Sequence, residues 1–500
     1  MKKIEELTAG VDVVQVAGSP ATEVALLTCD SRQAGPGSCF FAVVGTQRDG
    51  HDYIPAAVAG GAVAVVCQRL PEAVAEGVCY VVVEDAAAVM ADMAAAFYDH
   101  PSRELKRVGV TGTNGKTTTA TLLFELFRSL GYRVGLISTV VYRIDGCEYP
   151  STHTTPDTLR LNALLREMAD AGCEYCFMEV SSHAIAQGRI RGLAFAGGIF
   201  SNITHDHLDY HKTFAEYIRV KKCFFDGLSR GAFAVVNTDD RNGRVMVQNC
   251  RARVRTLSLR SMADYRGRVV EMHLDGMLLR LDGRETWVRF LGRFNAYNLL
   301  SVYAAAVELG ADPDEVLRIL SGLGQVNGRF EAIHAPDGTT AIVDYAHTPD
   351  ALENVLQTIG EIRCEGQQLF VVCGCGGDRD RTKRPEMARI AAEYASTAIF
   401  TSDNPRHEDP EAILDEMTAG LDRTLRFLRI TDRGEAIRTA AMLARPGDII
   451  LVAGKGHETY QIVGDVRHHF DDKEVIADAF ARFRSAAAGQ DNAVQSSKPL

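Results

Sequence analysis

The segment Val108–Thr119 constrains the fold of this 500-residue chain more than any other stretch. It reads Val-Gly-Val-Thr-Gly-Thr-Asn-Gly-Lys-Thr-Thr-Thr and continues an apolar strand. The pattern predicts a helix over Thr117–Leu130 and a further strand over Arg133–Ser138. A strand–loop–helix turn of this kind surrounds phosphate oxygens with backbone N–H groups and a helix N-terminus. We therefore predict a nucleotide site in a parallel α/β domain, rather than an ordinary glycine-rich turn.

This loop departs from the strict Walker A pattern at one position. Val110 stands five residues before Gly115, where the pattern has glycine, and the additional glycine is Gly112. Lys116 is still placed to reach the β- and γ-phosphates of a nucleotide, and the Thr117 hydroxyl is placed to ligate Mg²⁺. The local pattern thus predicts ATP and Mg²⁺ as ligands.

The length of the chain requires several domains, because one hydrophobic core stops growing at roughly 250–300 residues. Alternating strand and helix patterns predict an α/β protein of three domains. These are a small N-terminal α/β domain (1–100), a central P-loop-type domain with a parallel sheet (101–329) and a Rossmann-like C-terminal domain (330–490). The last residues, 491–500, are small and polar, and we predict that this tail is disordered.

Charge and composition exclude several classes of protein. The net charge of −11 gives no basic field for nucleic acid, so anionic substrates need local binding groups. Apolar runs are too short for a membrane span, and the first residues turn acidic where a signal peptide would be apolar. We therefore expect a cytoplasmic protein whose 12 cysteines are reduced, and we expect a monomer.

A second group of polar residues follows the apolar run 175–178. Glu179 ends this run, so we expect it at the carboxyl end of a strand, where α/β sheets place their ligands. Four histidines follow, at positions 183, 205, 207 and 211, and Lys221 comes shortly after them. Histidines and acids in such proximity indicate a cation site.

Two cations, zinc and Mg²⁺, are alternatives for this site. His205, His207 and Asp209 have the H-x-H-x-D spacing of zinc hydrolases, but Tyr210 stands where that pattern continues with histidine. Mg²⁺ prefers hard oxygen ligands and accompanies nucleotide phosphates, so we favour it over a zinc cage of histidines. For His205 and His211 we favour a structural role as histidines hydrogen-bonded to the backbone.

Further polar motifs occur in the last 210 residues, at 295–298, 328–331, 344–349, 376–381, 402–406 and 454–458. Those at 376–381 and 454–458 follow the apolar runs 369–373 and 449–453 directly. Polar groups at the carboxyl ends of parallel strands are the usual way in which this architecture forms a binding site. Taken singly, each motif is equally compatible with ordinary loop polarity or with a helix cap.

Taken in order, these segments resemble the ATP-dependent Mur ligases of bacterial cell-wall synthesis, over about residues 25 to 480. The motifs TGTNGKTT, MEVSSH, HDHLDYH, DYAHTP, DNPR and KGHE all occur in the family's order, as does a Tyr-x-x-x-Lys step at Tyr217–Lys221. DNPR (403–406) and KGHE (455–458) are typical of the diaminopimelate-adding branch.

The resemblance implies an ATP-dependent amide ligase of peptidoglycan precursor synthesis. Its substrates would be ATP, UDP-N-acetylmuramoyl-L-Ala-D-Glu and meso-2,6-diaminopimelate, and the γ-carboxylate of D-Glu would react through an acyl phosphate. The N-terminal domain would bind the UDP moiety, the central domain ATP, and the C-terminal domain the amino acid.

The resemblance also implies roles for individual residues. Catalytic roles fall to Lys116, Glu179, His207 and Lys221. ATP would contact Gly112, Thr113, Asn114, Gly115, Lys116, Thr117, Thr118, Asn298, Arg329, Asp344 and His347. The UDP-muramoyl dipeptide would contact Cys29, Ser31, Thr46, Gln47, Arg48, His153, Thr154, Thr155, Ser181, Gln187 and Arg189. Diaminopimelate would contact Arg379, Asp403, Asn404, Pro405, Arg406, Gly454 and Glu458. Mg²⁺ would be held by Thr117, Glu179, His207 and Lys221, the last as a lysine carbamate.

Three alternatives are left by the sequence. A lysine-adding Mur ligase would lack the arginine of DNPR, which is present here as Arg406. A ligase similar to folylpolyglutamate synthase shares the P-loop and the lysine, but the N-terminal domain argues against it. A nucleotide-dependent switch without ligase activity is disfavoured because Lys116, Glu179 and Lys221 are intact.

Overall fold

The computed structural model describes residues 1–45, 48–273, 275–422 and 424–484, with three sheets that follow one another along the chain. Thr46 and Gln47 lie outside the described residues, as does the tail 491–500 for which we predict disorder. None of the helices in these described ranges is long and apolar enough to cross a membrane.

The N-terminal domain is built on a five-stranded sheet. Its strands lie in the order Val13–Ala17, Cys79–Val83, Ala62–Cys67, Ser38–Phe41 and Leu26–Thr28, and all neighbours but the first pair are parallel. Lys2–Lys3 and Glu23–Val24 pair separately. The helices are Ile4–Leu7, Ile54–Ala59 and Ala86–Phe97, with 3₁₀ turns at Ser31–Gln33, Gly50–Tyr53 and Pro101–Arg103.

The central domain contains an eleven-stranded sheet. The order is Cys147–Pro150, Val141–Ile144, Val134–Ile137, Tyr175–Glu179, Lys106–Thr111, Gly197–Phe200, Phe233–Asn237, Arg253–Ser258, Tyr265–His273, Gly276–Leu281 and Arg284–Val288. The strands from Val134–Ile137 to Tyr265–His273 run parallel, and antiparallel strands flank them on both sides. The strands next to the P-loop are buried along their length, which explains their continuous apolar runs.

Helices cover both faces of this sheet. They are Lys116–Ser129, Thr158–Asp170, Ser182–Ala186, Leu208–His211, Phe214–Asp226, Gly243–Met246, Arg293–Glu308 and Pro313–Gly322. The helix after the P-loop buries Leu122, Leu123 and Leu126 in the main core of the domain, where Leu299 of the helix Arg293–Glu308 also packs. This core fixes the position of the loop between the first strand and its helix.

The C-terminal domain has a six-stranded sheet in the order Glu331–His334, Thr340–Asp344, Ile449–Ala453, Leu369–Cys373, Thr397–Phe400 and Phe427–Arg429. Only the first pair is antiparallel. The helices are Pro349–Ile362, Lys383–Tyr394, Pro410–Thr418, Arg433–Leu443 and Asp472–Arg484, and the strands Tyr460–Val463 and Val466–His469 form a separate hairpin.

The three sheets confirm the predicted α/β class with three domains. Parallel pairing also brings the predicted motifs together at strand ends. Glu179 pairs in register with Val110, just before the P-loop, and Asp344 pairs with Ala453, just before Gly454. Each sheet therefore presents one carboxyl edge on which polar side chains converge.

Candidate functional site

The P-loop is shaped by two glycines in left-handed backbone conformations. Gly112 has φ +150° and Gly115 has φ +87°. A Cβ on Gly112 would lie 2.0 Å from Ser201 Oγ, and a Cβ on Gly115 would lie 2.3 Å from Asn298 Oδ1. Only glycine fits at these positions, so the loop lies directly against Ser201 and Asn298.

Hydrogen bonds from a neighbouring strand end hold this loop in place. Asn114 N–H donates to Asn202 Oδ1 (2.9 Å), and Asn202 Nδ2 donates back to Asn114 O (3.0 Å). Ser201 Oγ also donates to Asn114 O (2.6 Å). The Thr204 N–H donates to Thr113 Oγ1 (3.0 Å). The loop is therefore preorganised in a polar frame before any ligand binds.

Two lysine side chains converge on one carbonyl of the loop. Lys116 Nζ donates to Gly112 O (3.0 Å) and Thr113 O (2.8 Å), and Lys221 Nζ donates to the same Gly112 O (2.8 Å). Burial lowers the pKa of both ammonium groups, and the proximity of Lys116 lowers that of Lys221 further. Lys221 is almost fully buried, with 1% of its surface exposed. Two buried cations at one carbonyl make the neutral form of Lys221 accessible.

Glu179 provides a buried carboxylate beside the loop. Its Oε1 accepts hydrogen bonds from Thr117 Oγ1 (2.9 Å) and from the Thr139 N–H (2.7 Å). Its Oε2 is buried and has no hydrogen-bond partner in the described part of the chain. A buried carboxylate oxygen without a donor, next to a threonine hydroxyl, fits a hard divalent cation such as Mg²⁺.

The predicted histidines fall into different environments. His207 begins the helix Leu208–His211 with φ +55°, and its ring lies 4.9 Å from that of His183. His211 is buried, 5.2 Å from the ring of Tyr217. His205 stacks on Phe214 at 4.6 Å. His211 is therefore packed among aromatic rings, whereas His205 is exposed and stacks on a single ring.

A zinc cage is not found among these groups. Within the described residues, no cluster of three or more His, Cys, Asp and Glu side chains is placed to hold a metal ion. The side chain of Asp209, the third member of the H-x-H-x-D pattern, lies outside those residues.

Polar groups at the junction of the central and C-terminal domains lie close to the P-loop. Arg329 Nη2 donates to Thr117 Oγ1 (3.1 Å), and its guanidinium lies 4.5 Å over the Tyr345 ring. Asp344 Oδ2 accepts from the Phe330 N–H (2.7 Å), and burial raises the pKa of Asp344 to about 6. Burial lowers the pKa of His347 to about 4. Asn298, Arg329 and Asp344 thus lie around the loop or the domain junction, as the sequence predicts.

The residues predicted for the sugar–peptide part form a connected network next to Glu179. Thr155 Oγ1 donates to Glu179 O (2.8 Å) and accepts from the Ser181 N–H (3.1 Å). Arg189 Nη1 donates to Thr155 O (2.7 Å), and Arg189 Nη2 donates to Gln187 Oε1 (2.7 Å). The network joins residues up to 34 positions apart in the chain.

The other residues predicted for this substrate are more exposed. Thr154 Oγ1 accepts from Thr139 Oγ1 (3.0 Å), which connects it to the Glu179 region, whereas His153 is exposed. In the N-terminal domain, Cys29 and Arg48 are exposed and Ser31 begins a 3₁₀ turn.

The residues predicted for the amino acid form a polar group in the C-terminal domain. Asp403 is buried, and its Oδ2 would lie 2.5 Å from a Cβ on Gly454, which has φ +117°. Arg406 Nη1 donates to Gly377 O (2.7 Å). Burial raises the pKa of Glu458, and the neighbouring Asp403 carboxylate raises it further. Asp403, Pro405, Arg406, Gly454 and Glu458 lie together, and Arg379 is exposed on the adjoining loop.

Asn404 has a more structural environment than the sequence suggests. Its Oδ1 accepts from Lys455 Nζ (2.9 Å) and the Ile462 N–H (2.9 Å), and its Nδ2 donates to Glu458 Oε2 (2.8 Å). The amide therefore positions Lys455 and Glu458, and its capacity for a ligand is largely taken up.

Several residues of the site escape sequence reasoning. Lys455 is fully buried and lies inside the KGHE motif, so the motif could have revealed it. Asn202 and Asp350 have no such signal. Asp350 Oδ2 accepts from Asn114 Nδ2 (2.9 Å) across 236 residues of sequence, and only the fold brings the two together.

The geometry describes a three-domain α/β protein with a nucleotide-type P-loop, and protein-family models give its family. The chain matches the "Mur ligase family, catalytic domain" over 23–98, the "Mur ligase middle domain" over 110–306 and the "Mur ligase, glutamate ligase domain" over 328–456. The chain belongs to the Mur ligase family, and the resemblance in sequence is confirmed.

Relatives that match almost the whole chain share the name of one ligase. The chain is 54% identical to proteins of Phocaeicola vulgatus and Bacteroides fragilis, over 96% of this chain and 99% of each relative. Both are named UDP-N-acetylmuramoyl-L-alanyl-D-glutamate–2,6-diaminopimelate ligase. A solved structure of a ligase with the same name is 34% identical, with a TM-score of 0.69 over 96% of this chain and 99% of that one.

Proposed function

We propose that this protein joins meso-2,6-diaminopimelate to the γ-carboxylate of D-Glu in UDP-N-acetylmuramoyl-L-Ala-D-Glu, with hydrolysis of ATP to ADP and phosphate. The observation that carries the proposal is the hydrogen bond from Arg329 to Thr117, which joins the P-loop to the segment that leads into the domain of Asp403–Arg406. The names of the full-length relatives support the same activity.

The first step would transfer the γ-phosphoryl group of ATP to the D-Glu carboxylate and release ADP. Donor and acceptor are both anions, so the site must offset their repulsion. Lys116 Nζ donates hydrogen bonds to Gly112 O and Thr113 O. When ATP binds, Lys116 would donate to the β- and γ-phosphates instead of to these carbonyls. The backbone N–H groups of the loop and the N-terminus of Lys116–Ser129 would hold the phosphates. Positioning and electrostatics, rather than covalent catalysis, would lower the barrier.

Mg²⁺ fits the oxygen groups beside the loop. Glu179 and Thr117 would hold it together with nucleotide phosphates, since Glu179 Oε2 has no donor in the described residues. When bound, the ion would neutralise charge on the transferred phosphoryl group. His207 stays a predicted additional ligand.

We further propose that Lys221 carries a carbamate. The neutral amine would attack CO₂, forming an N–C bond, and the carbamic acid would lose a proton to give an anion. Support comes from the burial of Lys221, its lowered pKa and the nearby Lys116 cation, all of which favour an uncharged or anionic group there. A carbamate would turn the pair of repelling cations into an attractive pair.

The carbamate is tested without measuring activity. Protein equilibrated with ¹³C-bicarbonate should show a carbamate carbonyl signal by NMR that is absent from Lys221→Ala and retained by Lys222→Ala. Lys222 is the matched control because it is paired with Asp226 on the same helix (2.6 Å). Identical spectra for wild type and Lys221→Ala would exclude the modification.

In the second step, the diaminopimelate amine would attack the acyl carbon, and phosphate would leave as the amide forms. Arg406 would bind the distal carboxylate of diaminopimelate, and Asp403 and Glu458 would bind its ammonium. Lysine lacks that carboxylate and would leave Arg406 without its anion, so the pocket favours diaminopimelate over lysine.

Lys116→Ala provides the direct test of the ATP step. We expect ligation and amino-acid-dependent phosphate release to fall by at least about a hundredfold, since one preorganised group at developing charge is worth that much. The control Lys222→Ala should keep wild-type rates. Unchanged ligation by Lys116→Ala at saturating ATP would contradict the proposal.

We also propose that the protein works as a cytoplasmic monomer. All of the residues predicted for the three substrates belong to one chain, and ATP and nucleotide-linked precursors are cytoplasmic metabolites. Light scattering of the active enzyme at assay concentration tests the monomer, and a dimer would contradict it.

A further inference from the structure

Three segments of the C-terminal domain enclose the proposed amino-acid pocket. They are the loop 376–381, the segment 403–408 that contains DNPR, and the hairpin 460–469. Arg406 joins all three. Its Nη1 donates to Gly377 O in the loop (2.7 Å), its N–H donates to Ile462 O in the hairpin (3.1 Å), and its carbonyl accepts from the Gly464 N–H (2.7 Å).

The residue after Arg406 makes a second connection between the same segments. His407 Nδ1 lies 2.9 Å from Asp378 Oδ2 in the loop, and His407 Nε2 lies 3.2 Å from Asp465 Oδ1 at the turn of the hairpin. Each ring nitrogen therefore faces a carboxylate. A neutral imidazole has one donor only, so the arrangement requires the doubly protonated ring to satisfy both contacts.

The backbone around these contacts is under strain. Arg406 and Asp378 both have φ +52°, in the left-handed region that L-residues rarely adopt. For arginine this conformation has an energetic cost, so it persists only where neighbouring contacts enforce it. The backbone hydrogen bonds between Arg406 and the hairpin, and the two contacts of His407, hold the backbone in this conformation.

We propose that protonated His407 is a positioning residue for the amino-acid site: it latches the loop 376–381 and the hairpin 460–469 onto the DNPR segment and so holds Arg406 and Arg379 in place for the substrate carboxylates. The proposal rests on the proposed function, because it assigns the latch to binding of that substrate. His407 lies outside the four residues of the DNPR motif.

The charges around His407 determine how the latch depends on pH. The loop contributes Asp378, the hairpin contributes Asp465, and the segment itself contributes Arg406 and Glu408. The hydrogen bonds that His407 donates to the Asp378 and Asp465 carboxylates raise the pKa of His407 above its ordinary value. The latch is therefore closed below the raised pKa and opens as the pH rises through it.

Glu408 anchors the base of the loop 376–381 independently of His407. It accepts hydrogen bonds from the Asp378 N–H (2.6 Å) and from Arg384 Nη1 and Nη2 (both 2.9 Å). Arg384 is fully buried and also contacts Glu416 (2.7 Å). The base of the loop thus stays anchored without His407, so substitutions of this exposed histidine leave the fold intact.

The proposal is tested by His407→Gln, which has the polarity of histidine but no positive charge. At pH 6.5 we expect the KM for diaminopimelate to rise about three- to tenfold, the range for two exposed charge pairs, with kcat and the KM for ATP within twofold of wild type. At pH 9 the two KM values should lie closer together, because loss of the proton from His407 opens the latch in wild type. His468→Gln, on the same hairpin, is the matched control and should match wild type at both pH values.

A second measurement needs no substrate. In His407→Gln at pH 6.5, backbone amides of Tyr460–Val463 and Val466–His469 should exchange with deuterium faster than in wild type, and at pH 9 the rates should be equal. Equal exchange at pH 6.5, or a KM ratio that does not change with pH, would overturn the latch. If wild type fails to join diaminopimelate at all, the proposed function fails instead, and the exchange data still decide on the latch.

Discussion

Arg329 Nη2 donates a hydrogen bond to Thr117 Oγ1 over 3.1 Å, and this contact joins the segment between the central and C-terminal sheets to the P-loop. The same guanidinium stacks on Tyr345, whose ring lies 5.0 Å from that of His457 in the KGHE motif. The contact therefore lies between the nucleotide loop and the loop that carries Glu458. We therefore expect Arg329 to contribute to nucleotide binding.

Replacement of Arg329 by alanine should weaken ATP binding. A hydrogen bond from a charged group contributes about 1.5–3 kcal/mol, so we expect the KM for ATP to rise about ten- to a hundredfold. Arg293→Ala is the matched control, because Arg293 contacts Glu361 across the same domains (3.3 Å) but on the exposed surface. Steady-state kinetics with varied ATP measures both, and equal effects of the two substitutions would contradict this role.

Gly115→Ala should abolish tight nucleotide binding, because the added methyl group would overlap Asn298 Oδ1 at 2.3 Å and Gly115 has φ +87°. Asn298→Ala removes the overlap but not the backbone strain. We therefore expect the double variant to bind ATP better than Gly115→Ala and worse than Asn298→Ala, by calorimetry. Additive losses in the double variant would show that the two residues act independently.

Asp344 should make the stability of the protein depend on pH. Burial raises the pKa of Asp344 from 3.8 to about 6, so between these values the folded chain holds a proton that the unfolded chain has released. Stability contributed by this residue is present below about pH 4 and is lost as the pH rises to 6, by about 3 kcal/mol. Asp344→Asn keeps an acceptor for the Phe330 N–H and should gain in Tm relative to wild type between pH 4.5 and 7. A Tm difference that is constant over this range would contradict the assignment.

The pair of Arg433 and Asp472 should stabilise the C-terminal domain strongly. Both side chains are fully buried and form two hydrogen bonds of 2.7 Å, and Arg433 Nη2 also donates to Ala453 O (3.0 Å) at the end of the strand before Gly454. Asp472→Asn leaves the arginine without its counter-charge and should cost about 3–5 kcal/mol in the free energy of unfolding. Glu393→Gln, in the exposed pair with Arg389, should cost about 0–1 kcal/mol. Denaturant unfolding compares them, and similar losses would count against a special role of the buried pair.

Elements with a continuous apolar sequence could be predicted closely. The strands Leu369–Cys373 and Ile449–Ala453 coincide with the apolar runs 369–373 and 449–453 of the sequence. The predicted helix Thr117–Leu130 is found one residue earlier, at Lys116–Ser129, because Gly115 is the residue that turns the chain. The strand Tyr265–His273 was not anticipated, since it lies far from the buried centre of the sheet and most of its residues are partly or fully exposed.

Candidate site residues within motifs can be proposed from the sequence, but their partners in the fold cannot. Asn202 hydrogen-bonds to the backbone of Asn114 across 88 residues, and Asp350 accepts a hydrogen bond from the Asn114 side chain across 236. No local pattern distinguishes these two from ordinary loop or helix-start residues. The motif predicts a ligand contact for Asn404, but it does not predict the hydrogen bonds of its amide to Lys455, Glu458 and Ile462.

The central claim is that the pocket around Arg406 and Glu458 selects meso-diaminopimelate. A competition assay with wild-type protein, ATP, UDP-N-acetylmuramoyl-L-Ala-D-Glu and equal concentrations of meso-diaminopimelate and L-lysine tests it directly, with the products separated by mass spectrometry. We predict that the diaminopimelate product exceeds the lysine product by at least about a hundredfold, because lysine leaves Arg406 without its carboxylate. Equal amounts of the two products would contradict the claim.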